Sequence, residues 1–287
     1  MAIIGAIMVP HPPLLIPQVG RGGERQVINT SRACYIAASR LIARKPDTLV
    51  IITPHNVLYQ DYLHISPGSG ASGSLARFGA PEVRFDIAYD TELVRQIILL
   101  AKQHNFPAGI DGERDRSLDH GTTVPLYFIG KAADSPWPFR FLRLSQSGLS
   151  FMAHYQMGML IKEAADLSGR RVGIIASGDL SHYLTPDGPY GFRPEGSVYD
   201  ARIIDIMGRA AFGELLGMDA ELCGQAGECG QRSLLILAGA LDGLQVESCI
   251  LSYEGVTGVG YGVGYFEPGT PDIGRGFIEK LKEGKDE

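Results

Sequence analysis

Four of the seven histidines stand where short apolar runs stop, a position that favours chemistry over packing. They are His11 in VPHPP, His55 in ITPH, His120 in LDHG and His182 in GDLSH. Neutral imidazole binds transition metals, and its ordinary pKa of about 6.5 also suits proton transfer. Two imidazoles and one carboxylate leave coordination positions open, as in non-haem Fe(II) oxygenases and catalytic Zn(II) sites. We therefore expect at least two of these histidines to share a metal or acid–base site.

Proline neighbours fix the backbone at the first two of these histidines. His11 lies between Pro10 and Pro12, and His55 follows Pro54. Proline locks its own φ and restricts the residue before it, so a stiff backbone aims each imidazole. A rigidly held ligand reorganises little when it binds an ion. The pattern therefore favours a metal-ligand role for His11 and His55.

The third ligand stays open among three carboxylates and one thiol. Asp179 follows an apolar run, Asp119 precedes His120, and Glu228 lies between glycines that let the backbone approach a site closely. Asp179 also suits a helix N-cap, and Asp119 also suits a turn or an orienting role. Glu228 also suits an exposed loop. Cys229 is a further candidate, because a thiolate binds Zn(II) or Cu well.

Length, charge and cysteine spacing narrow the class of protein. The chain has 287 residues, enough for one large α/β domain or two small ones. A net charge of -6 without a basic stripe argues against nucleic acid as a partner. With neither a membrane-length apolar run nor a signal-peptide pattern, we expect a cytoplasmic protein without membrane contact. The cysteines show no C-x-x-C spacing, which indicates free thiols: Cys34, Cys223, Cys229 and Cys249.

Alternating strands and helices predict the scaffold that brings the histidines together. The Ile- and Val-rich runs before His11, His55 and Asp179 are typical of strands buried on both faces of a parallel sheet. Parallel strands end at one edge, where α/β proteins bind ligands, so these three loops are expected to meet. We predict an α/β fold, a single three-layer α/β/α sandwich with a mixed, largely parallel central sheet. One domain is expected over residues 1–287, with a charged tail from about 268.

Several further elements follow from the apolar periodicity and from the glycine content. Helices are expected over Glu24–Lys45, Ser150–Leu167, Ser197–Leu216 and Ser233–Leu241. Late strands are expected over Gln245–Tyr253 and Val256–Phe266. Glycine-rich loops are expected over Gly68–Pro81 and Leu222–Arg232.

The ordered series of motifs resembles a known family. VPHPP, ITPH, LDHGTTVPL, ASGDLSH and AGECG, in this order between about residues 3 and 267, are similar to the catalytic-subunit (LigB-like) family of class III extradiol ring-cleavage dioxygenases. The subtype resembles the AmmeMemoRadiSam-associated and Memo-related members. The resemblance implies ring cleavage of a small aromatic diol with Fe(II) as cofactor, Zn(II) or Cu as alternative metals, and O2 as co-substrate. It also implies a functional link to AmmeMemoRadiSam system proteins, and a homo-oligomer is a further expectation.

The same resemblance assigns roles to individual residues. It implies the metal ligands His11, His55 and Glu228, and the catalytic residues His182, His120 and Asp179. His182 would be the acid–base catalyst, His120 would contact substrate or oxygen, and Asp179 would support His182. The Cys229-Gly230 pair departs from the aromatic dioxygenases and resembles Memo-like members, which use this cysteine at the site.

Two other functions stay open on the sequence. One is a Memo-like metal-binding or redox protein that works through Glu228 or Cys229 without ring cleavage. The other is a metal-free phosphorylase- or hydrolase-like α/β enzyme with SGSLARFG as a phosphate loop, although that segment lacks a lysine. Tyr183 and Phe192 are predicted to line the substrate pocket.

Overall fold

A computed structural model describes residues 2–133 and 137–278 of the chain. The strands are β1 (Ile3–Val9), β2 (Thr48–Thr53), β3 (Leu63–His64), β4 (Gly70–Leu75), β5 (Ala80–Ala88), β6 (Ala108–Gly109), β7 (Arg140–Ser145), β8 (Val172–Ser177), β9 (Leu244–Glu254) and β10 (Tyr261–Pro271). The helices are α1 (Pro17–Gly20), α2 (Ile28–Ala43), α3 (Thr91–Gln103), α4 (His120–Ala132), α5 (Phe151–Ser168), α6 (Pro194–Gly208), α7 (Phe212–Leu216), α8 (Ala220–Ala226) and α9 (Gln231–Ala240).

A six-stranded sheet in the order β7-β2-β8-β1-β10-β9 forms the centre of the fold. The first four strands of that order are parallel to one another, β10 pairs antiparallel with β1, and β9 pairs antiparallel with β10. Every residue of β1, β2 and β8 is buried, as expected for strands covered on both faces. The predicted α/β fold with a mixed, largely parallel sheet is therefore confirmed.

Alternate residues of the central strands face two separate cores. Met8 and Ile52 pack in one core with buried residues of α3, α5, α6 and α9. Ile7 and Ile51 pack in the other core, with buried residues of α2 and α4. Because strand side chains alternate between faces, this division places helices on both sides of the sheet. The layers are those of the predicted α/β/α sandwich.

The carboxyl ends of three neighbouring parallel strands carry the candidate residues. His11 lies two residues beyond β1, His55 two beyond β2, and Asp179 two beyond β8. β8 pairs with both β1 and β2, so the three loops leave one edge of the sheet side by side. The sheet topology thus gathers residues that are far apart in sequence.

The glycine- and serine-rich segment Gly68–Pro81 is not a loop, and that prediction was wrong. It contains β4, which pairs antiparallel with β5, and a 3-10 turn at Ala76–Phe78. At Gly73 a Cβ would collide with Leu118, so only a glycine lets the strand lie this close to its neighbour. Packing against β5 and Leu118 therefore makes this segment a strand, although its amino-acid composition favours a loop.

Three predicted boundaries also differ from the structure. The helix expected from Glu24 starts at Ile28, after a 3-10 turn, and the helix expected over Ser197–Leu216 is divided into α6 and α7. Ala210 has a φ of 51°, a left-handed conformation that interrupts the helix between them. The expected loop Leu222–Arg232 holds the end of α8 and the start of α9.

The carboxyl-terminal part of the fold extends further than expected. The last strand begins at Tyr261 and runs to Pro271, past the position predicted for a charged tail. Residues 279–287 of that predicted tail lie outside the described residues. In the part of the chain that the structure covers, no helix combines the length and the apolar character needed to cross a membrane.

Candidate metal centre

The two proline-flanked histidines meet at the sheet edge. Nε2 of His55 lies 3.0 Å from Nε2 of His11, with the two rings nearly perpendicular. His11 is 2% exposed, whereas His55 reaches the surface. The two histidines that the sequence predicted as metal ligands thus point their ring nitrogens at one another.

Ser177, the last residue of β8, determines which nitrogen of His11 is free. Its Oγ donates to the carbonyl of Gly121 at 2.6 Å and lies 2.9 Å from Nδ1 of His11. A hydroxyl has one proton, and here that proton goes to a carbonyl that can only accept. The hydroxyl must therefore accept from Nδ1–H, which leaves Nε2 of the neutral His11 ring with its lone pair toward His55.

His120 completes a first group of three nitrogen donors. Its ring stacks on His55 with centroids 4.0 Å apart, and donor nitrogens of His11, His55 and His120 all lie within 4.8 Å of one another. Asp119 caps α4 by accepting from the Thr122 backbone N–H at 3.1 Å, so the first residue of the helix is His120. The cap therefore fixes the position of His120 at the start of the helix.

A second group of donors contains His11, Asp179 and Cys229. Sγ of Cys229 lies 3.6 Å from Nε2 of His11 and accepts from the backbone N–H of Asp179 at 3.2 Å. The Asp179 carboxylate accepts from the backbone N–H of His11 at 2.9 Å. A Cβ at Gly178 would collide with Gly230, so this close approach of the two loops requires glycine.

Burial shifts the pKa of every group in these clusters toward the neutral form. It lowers the pKa of His11 well below its ordinary value and, helped by the charge of His120, lowers that of His55 to about 4. Burial raises the pKa of Asp179 to about 7, against a backbone hydrogen bond that lowers it. It also raises the pKa of the Cys229 thiol, with the charge of Asp179 adding to the effect. The imidazoles are therefore neutral, with nitrogen lone pairs that can bind a metal ion.

The donor set fits a transition metal. Imidazole nitrogens bind Zn(II) at about 2.0–2.1 Å, which places two neighbouring ligands about 3 Å apart. The 3.0 Å between Nε2 of His11 and Nε2 of His55 matches that spacing. Nitrogen, carboxylate and thiol donors together suit Fe, Zn or Cu better than Ca or Mg, which prefer oxygen. The residues therefore fit a metal of the class that the sequence predicted.

Glu228, predicted as the third ligand, lies outside both donor groups. Its carboxylate accepts from the backbone N–H of Gln231 at 2.6 Å, at the start of α9. Burial raises its pKa to about 7, against the lowering effect of that hydrogen bond. The structure places the neighbouring Cys229 beside His11 instead, and the role of Glu228 as a ligand stays a prediction.

His182 faces Asp179 from the other side. Its Nδ1 is hydrogen-bonded to the Gly227 carbonyl, which can only accept, so Nδ1 holds the proton and Nε2 is free. That Nε2 lies 3.9 Å from the Asp179 carboxylate. Burial lowers the pKa of His182, so its ring is neutral at pH 7 and able to accept a proton.

A buried ion pair anchors the segment that leads to His120. Arg143 of β7 donates to Glu113 at 2.7 Å and to the Ser117 carbonyl at 2.8 Å, and both charged side chains are almost fully buried. Nη1 of Arg143, which donates to Ser117, also lies 3.7 Å from the Asp119 carboxylate. Sequence reasoning missed Arg143 and Ser177. Arg143 stands out as the one charge inside the strand residues FLRLS, and Ser177 as a small polar residue at a strand end.

A cavity of about 1190 Å³ opens beside the histidines. His55 and His120 are among its lining residues, and the hairpin of β4 and β5 forms a wall. Phe78 lies edge-on to His120 with ring centroids 5.4 Å apart. Neither Tyr183 nor Phe192 lines this cavity, and Tyr183 instead packs under the guanidinium of Arg193 at 4.2 Å.

Comparison with known proteins gives one family match over most of the chain. The family described as the catalytic LigB subunit of aromatic ring-opening dioxygenase matches residues 5–264. An uncharacterized protein of Escherichia coli K12 has a related fold, with a TM-score of 0.58 at 16% identity over 91% of this chain and 99% of that one. At that identity the likeness concerns the fold alone.

Three curated relatives are similar in sequence. Protein CA_C1420 of Clostridium acetobutylicum is 36% identical over 99% of this chain and 60% of its own length. The 4,5-DOPA dioxygenase extradiol of Beta vulgaris is 25% identical over 61% of this chain and 65% of its own length. A MEMO1 family protein of Pyrococcus abyssi is 26% identical over 63% of this chain and 62% of its own length. The chain thus spans less than two thirds of the length of these relatives.

Proposed function

The chain belongs to the LigB family of aromatic ring-opening dioxygenases, in its LigB/Memo-related branch, and from that premise we propose that it is an extradiol dioxygenase of an aromatic diol. One observation carries the proposal. The free Nε2 of His11 meets Nε2 of His55 at 3.0 Å, and His55 lines a cavity large enough for an aromatic ring. The proposed cofactor is Fe(II), with Zn(II) or Cu as alternatives, and the proposed co-substrate is O2.

In this proposal His11 and His55 hold the metal. Three groups compete for the remaining position: Glu228, predicted from the sequence, and His120 and Cys229, which lie within reach of His11. Cys229 would have to lose its proton on binding, because burial raises the pKa of its thiol. Metal affinity through Cys229 would therefore rise with pH.

In this proposal, separate side chains transfer the proton, stabilise the resulting charge and orient the substrate. When bound, the metal supplies charge stabilisation and a common template for the diol and O2. Nε2 of His182 takes the proton of a substrate hydroxyl, since its Nδ1–H is held by the Gly227 carbonyl. The Asp179 carboxylate, 3.9 Å away, stabilises the imidazolium that results. Phe78, edge-on to His120, excludes water and orients the ring of the substrate.

Oxygen uptake by protein loaded with Fe(II) without oxygen tests the proposal. We expect uptake with a panel of aromatic diols, and loss of turnover in His182→Ala with metal binding retained. His104→Ala is the matched control, because His104 is an exposed histidine that is not among the residues lining the cavity. Absence of uptake with every diol while iron is bound would overturn ring cleavage.

A Memo-like metal-binding or redox protein without ring cleavage is the second candidate. The 3.6 Å separation of Sγ of Cys229 from Nε2 of His11 favours it, together with the similarity to a MEMO1 family protein. Under this function Cys229→Ser weakens metal binding and Glu228→Gln does not. A link to AmmeMemoRadiSam system proteins, a cytoplasmic homo-oligomer and one domain over residues 1–287 belong to the proposal as well.

A further inference from the structure

Gln146 stands at the end of the fourth parallel strand, at the same sheet edge as the histidines. It follows β7 directly and is 5% exposed, and its backbone N–H donates to the carbonyl of Thr53, the last residue of β2, at 3.3 Å. A buried amide needs partners for its N–H groups, because an unsatisfied buried donor costs free energy. The side chain of Gln146 must therefore be bonded to the segments that meet at this edge.

Both N–H groups of the Gln146 side chain have a defined partner. Nε2 lies 2.8 Å from the carbonyl oxygen of Cys229 and 2.8 Å from Oγ of Ser233. A carbonyl can only accept, so the nitrogen end of the amide faces Cys229. Ser233 donates its one proton to the Ser177 carbonyl at 2.9 Å, so its oxygen accepts the second N–H. The amide of Gln146 is thus fixed in one orientation.

The backbone of Cys229 is held on both sides of its Cα atom. Its N–H donates to the Asp179 carbonyl at 3.3 Å, and its carbonyl accepts from Gln146. Fixing the peptide groups before and after a residue fixes its two backbone dihedrals, and with them the direction of its side chain. The Cys229 thiol accordingly lies 3.6 Å from Nε2 of His11.

The neighbouring Glu228 turns the other way, although nothing local in the sequence separates the two residues. Its carboxylate accepts from the backbone N–H of Gln231 at 2.6 Å. Glycines flank the pair, Gly227 with a φ of 64° and Gly230, and glycine adopts many backbone conformations. The direction of this turn therefore depends on a long-range contact, and the bond from Gln146 to Cys229 is such a contact across 83 residues.

We propose that Gln146 is a positioning residue, which holds the Cys229 carbonyl so that the thiol of Cys229, and not the carboxylate of Glu228, faces His11. The inference rests on the proposed function for the metal at this site, whereas the hold on Cys229 can be tested without a metal. Gln146 acts through Cys229 and binds no ion itself. An amide on β7 then decides which of two adjacent residues competes for the third ligand position.

The alkylation rate of each cysteine by iodoacetamide, followed by mass spectrometry of the peptides, tests the hold on Cys229 in the metal-free full chain. Gln146→Met keeps the length of the side chain and removes both donors. We expect Cys229 to react about tenfold faster, the effect of losing one buried hydrogen bond. The buried Cys34 and Cys223 report any general loosening of the fold and should keep their rates.

Gln225→Met is the matched control, because Gln225 lies four residues before Cys229 and donates to Glu221 instead. An unchanged rate for Cys229 in Gln146→Met, or an equal rise in both variants, would overturn the proposal. If Cys34 also reacts faster in Gln146→Met, the milder Gln146→Asn replaces it, since its amide is one methylene too short to reach the carbonyl. Faster reaction of Cys229 alone then supports the proposal, and any other pattern overturns it.

Titration with Co(II) without oxygen separates failure of this inference from failure of the proposed function. Thiolate ligation gives a sulfur-to-metal charge-transfer absorption, which we expect in the unmodified protein and not in Gln146→Met, while Co(II) still binds through His11 and His55. A band of equal strength in the variant, or Co(II) binding without a band in the unmodified protein, would overturn the role of Gln146. Absence of Co(II) binding in the unmodified protein contradicts the proposed function, and the alkylation rates then decide on Gln146.

Discussion

The histidine cluster lies between two regions that differ in burial and in hydrogen bonding. On one side, His11, Asp179 and Ser177 are buried at strand ends, and His11 is hydrogen-bonded to both of the others. On the other side, the β4–β5 hairpin and the segment before α4 present exposed arginines to an open cavity. The first region is suited to holding an ion with little movement, and the second to contacting a ligand.

The difference shows how the fold separates two tasks. The buried side is built from the six-stranded sheet, where every residue of the central strands is buried and position is tightly fixed. The open side is built from elements outside that sheet, and the buried Arg143 of β7 is one of its links to the sheet. Variation in the hairpin would change ligand preference while leaving the proposed metal ligands in place.

The largest expected effect comes from removing the anchor of the open side. Arg143→Met leaves Glu113 as an uncompensated buried charge, so we expect a loss of about 3–5 kcal/mol in the free energy of unfolding. Urea denaturation measures it. The double variant Arg143→Met, Glu113→Gln should recover part of the loss. Arg95→Met, which breaks an exposed pair with Glu92, is the control and should leave stability unchanged.

The next largest effect is expected on metal affinity, which distinguishes the buried side of the histidine cluster from the open side. His11 belongs to both donor groups and His120 to one, so His11→Ala should weaken metal binding by more than about 100-fold, or about 2.7 kcal/mol. His120→Ala should weaken it less. Metal titration by calorimetry compares the two variants with His104→Ala. Equal losses for His11→Ala and His120→Ala would contradict the assignment of the ion to the buried side.

A smaller effect is expected from the residue that orients His11. Ser177→Ala removes the acceptor of His11 Nδ1–H, so the ring loses its fixed tautomer, and we expect about tenfold weaker metal binding. Ser233→Ala is the matched control: this buried serine donates to the Ser177 carbonyl and, among the described residues, is hydrogen-bonded to no histidine. If both variants bind metal equally well, the tautomer argument does not hold. The 15N chemical shifts of His11 report the tautomer directly.

The sheet edge could be predicted from sequence because its signals are local. Ile- and Val-rich runs that stop at proline or glycine define β1, β2 and β8, and parallel topology then places His11 and His55 at one edge. Gly68–Pro81 was misjudged because its strand depends on pairing with β5 and on packing against Leu118, which are long-range contacts.

The finer features of the site depend on contacts that no local pattern encodes. Glu228 and Cys229 are adjacent, and only the backbone direction at the start of α9 decides which one faces His11. Likewise, Arg143 pairs with Glu113, 30 residues away in sequence. Spacing alone shows neither which side chain turns inward nor which hydroxyl holds a tautomer.

The smallest expected effect is on the pH dependence of the free energy of unfolding, and it comes from Asp200, a buried residue of α6. Burial raises the pKa of Asp200 from 3.8 to about 7, against hydrogen bonds from Ser181 and Tyr253 that lower it. The folded protein therefore holds this proton where the unfolded chain releases it, so the stability it contributes is present below the ordinary carboxyl pKa and lost as pH rises through about 7.

Asp200→Asn mimics the protonated carboxyl and should flatten this decline by at most about 1.4 kcal/mol per pH unit. Urea denaturation at several pH values between 3.8 and about 7 measures the slope. Asp205→Asn on the same helix is the control, because Asp205 is exposed and its pKa is lowered by Arg209. Asp179 and Glu228 titrate in the same range, so part of the slope should survive. A slope unchanged in Asp200→Asn would mean that Asp200 is charged in the folded protein. The buried side would then tolerate an internal charge, and its contrast with the open side would rest on rigidity alone.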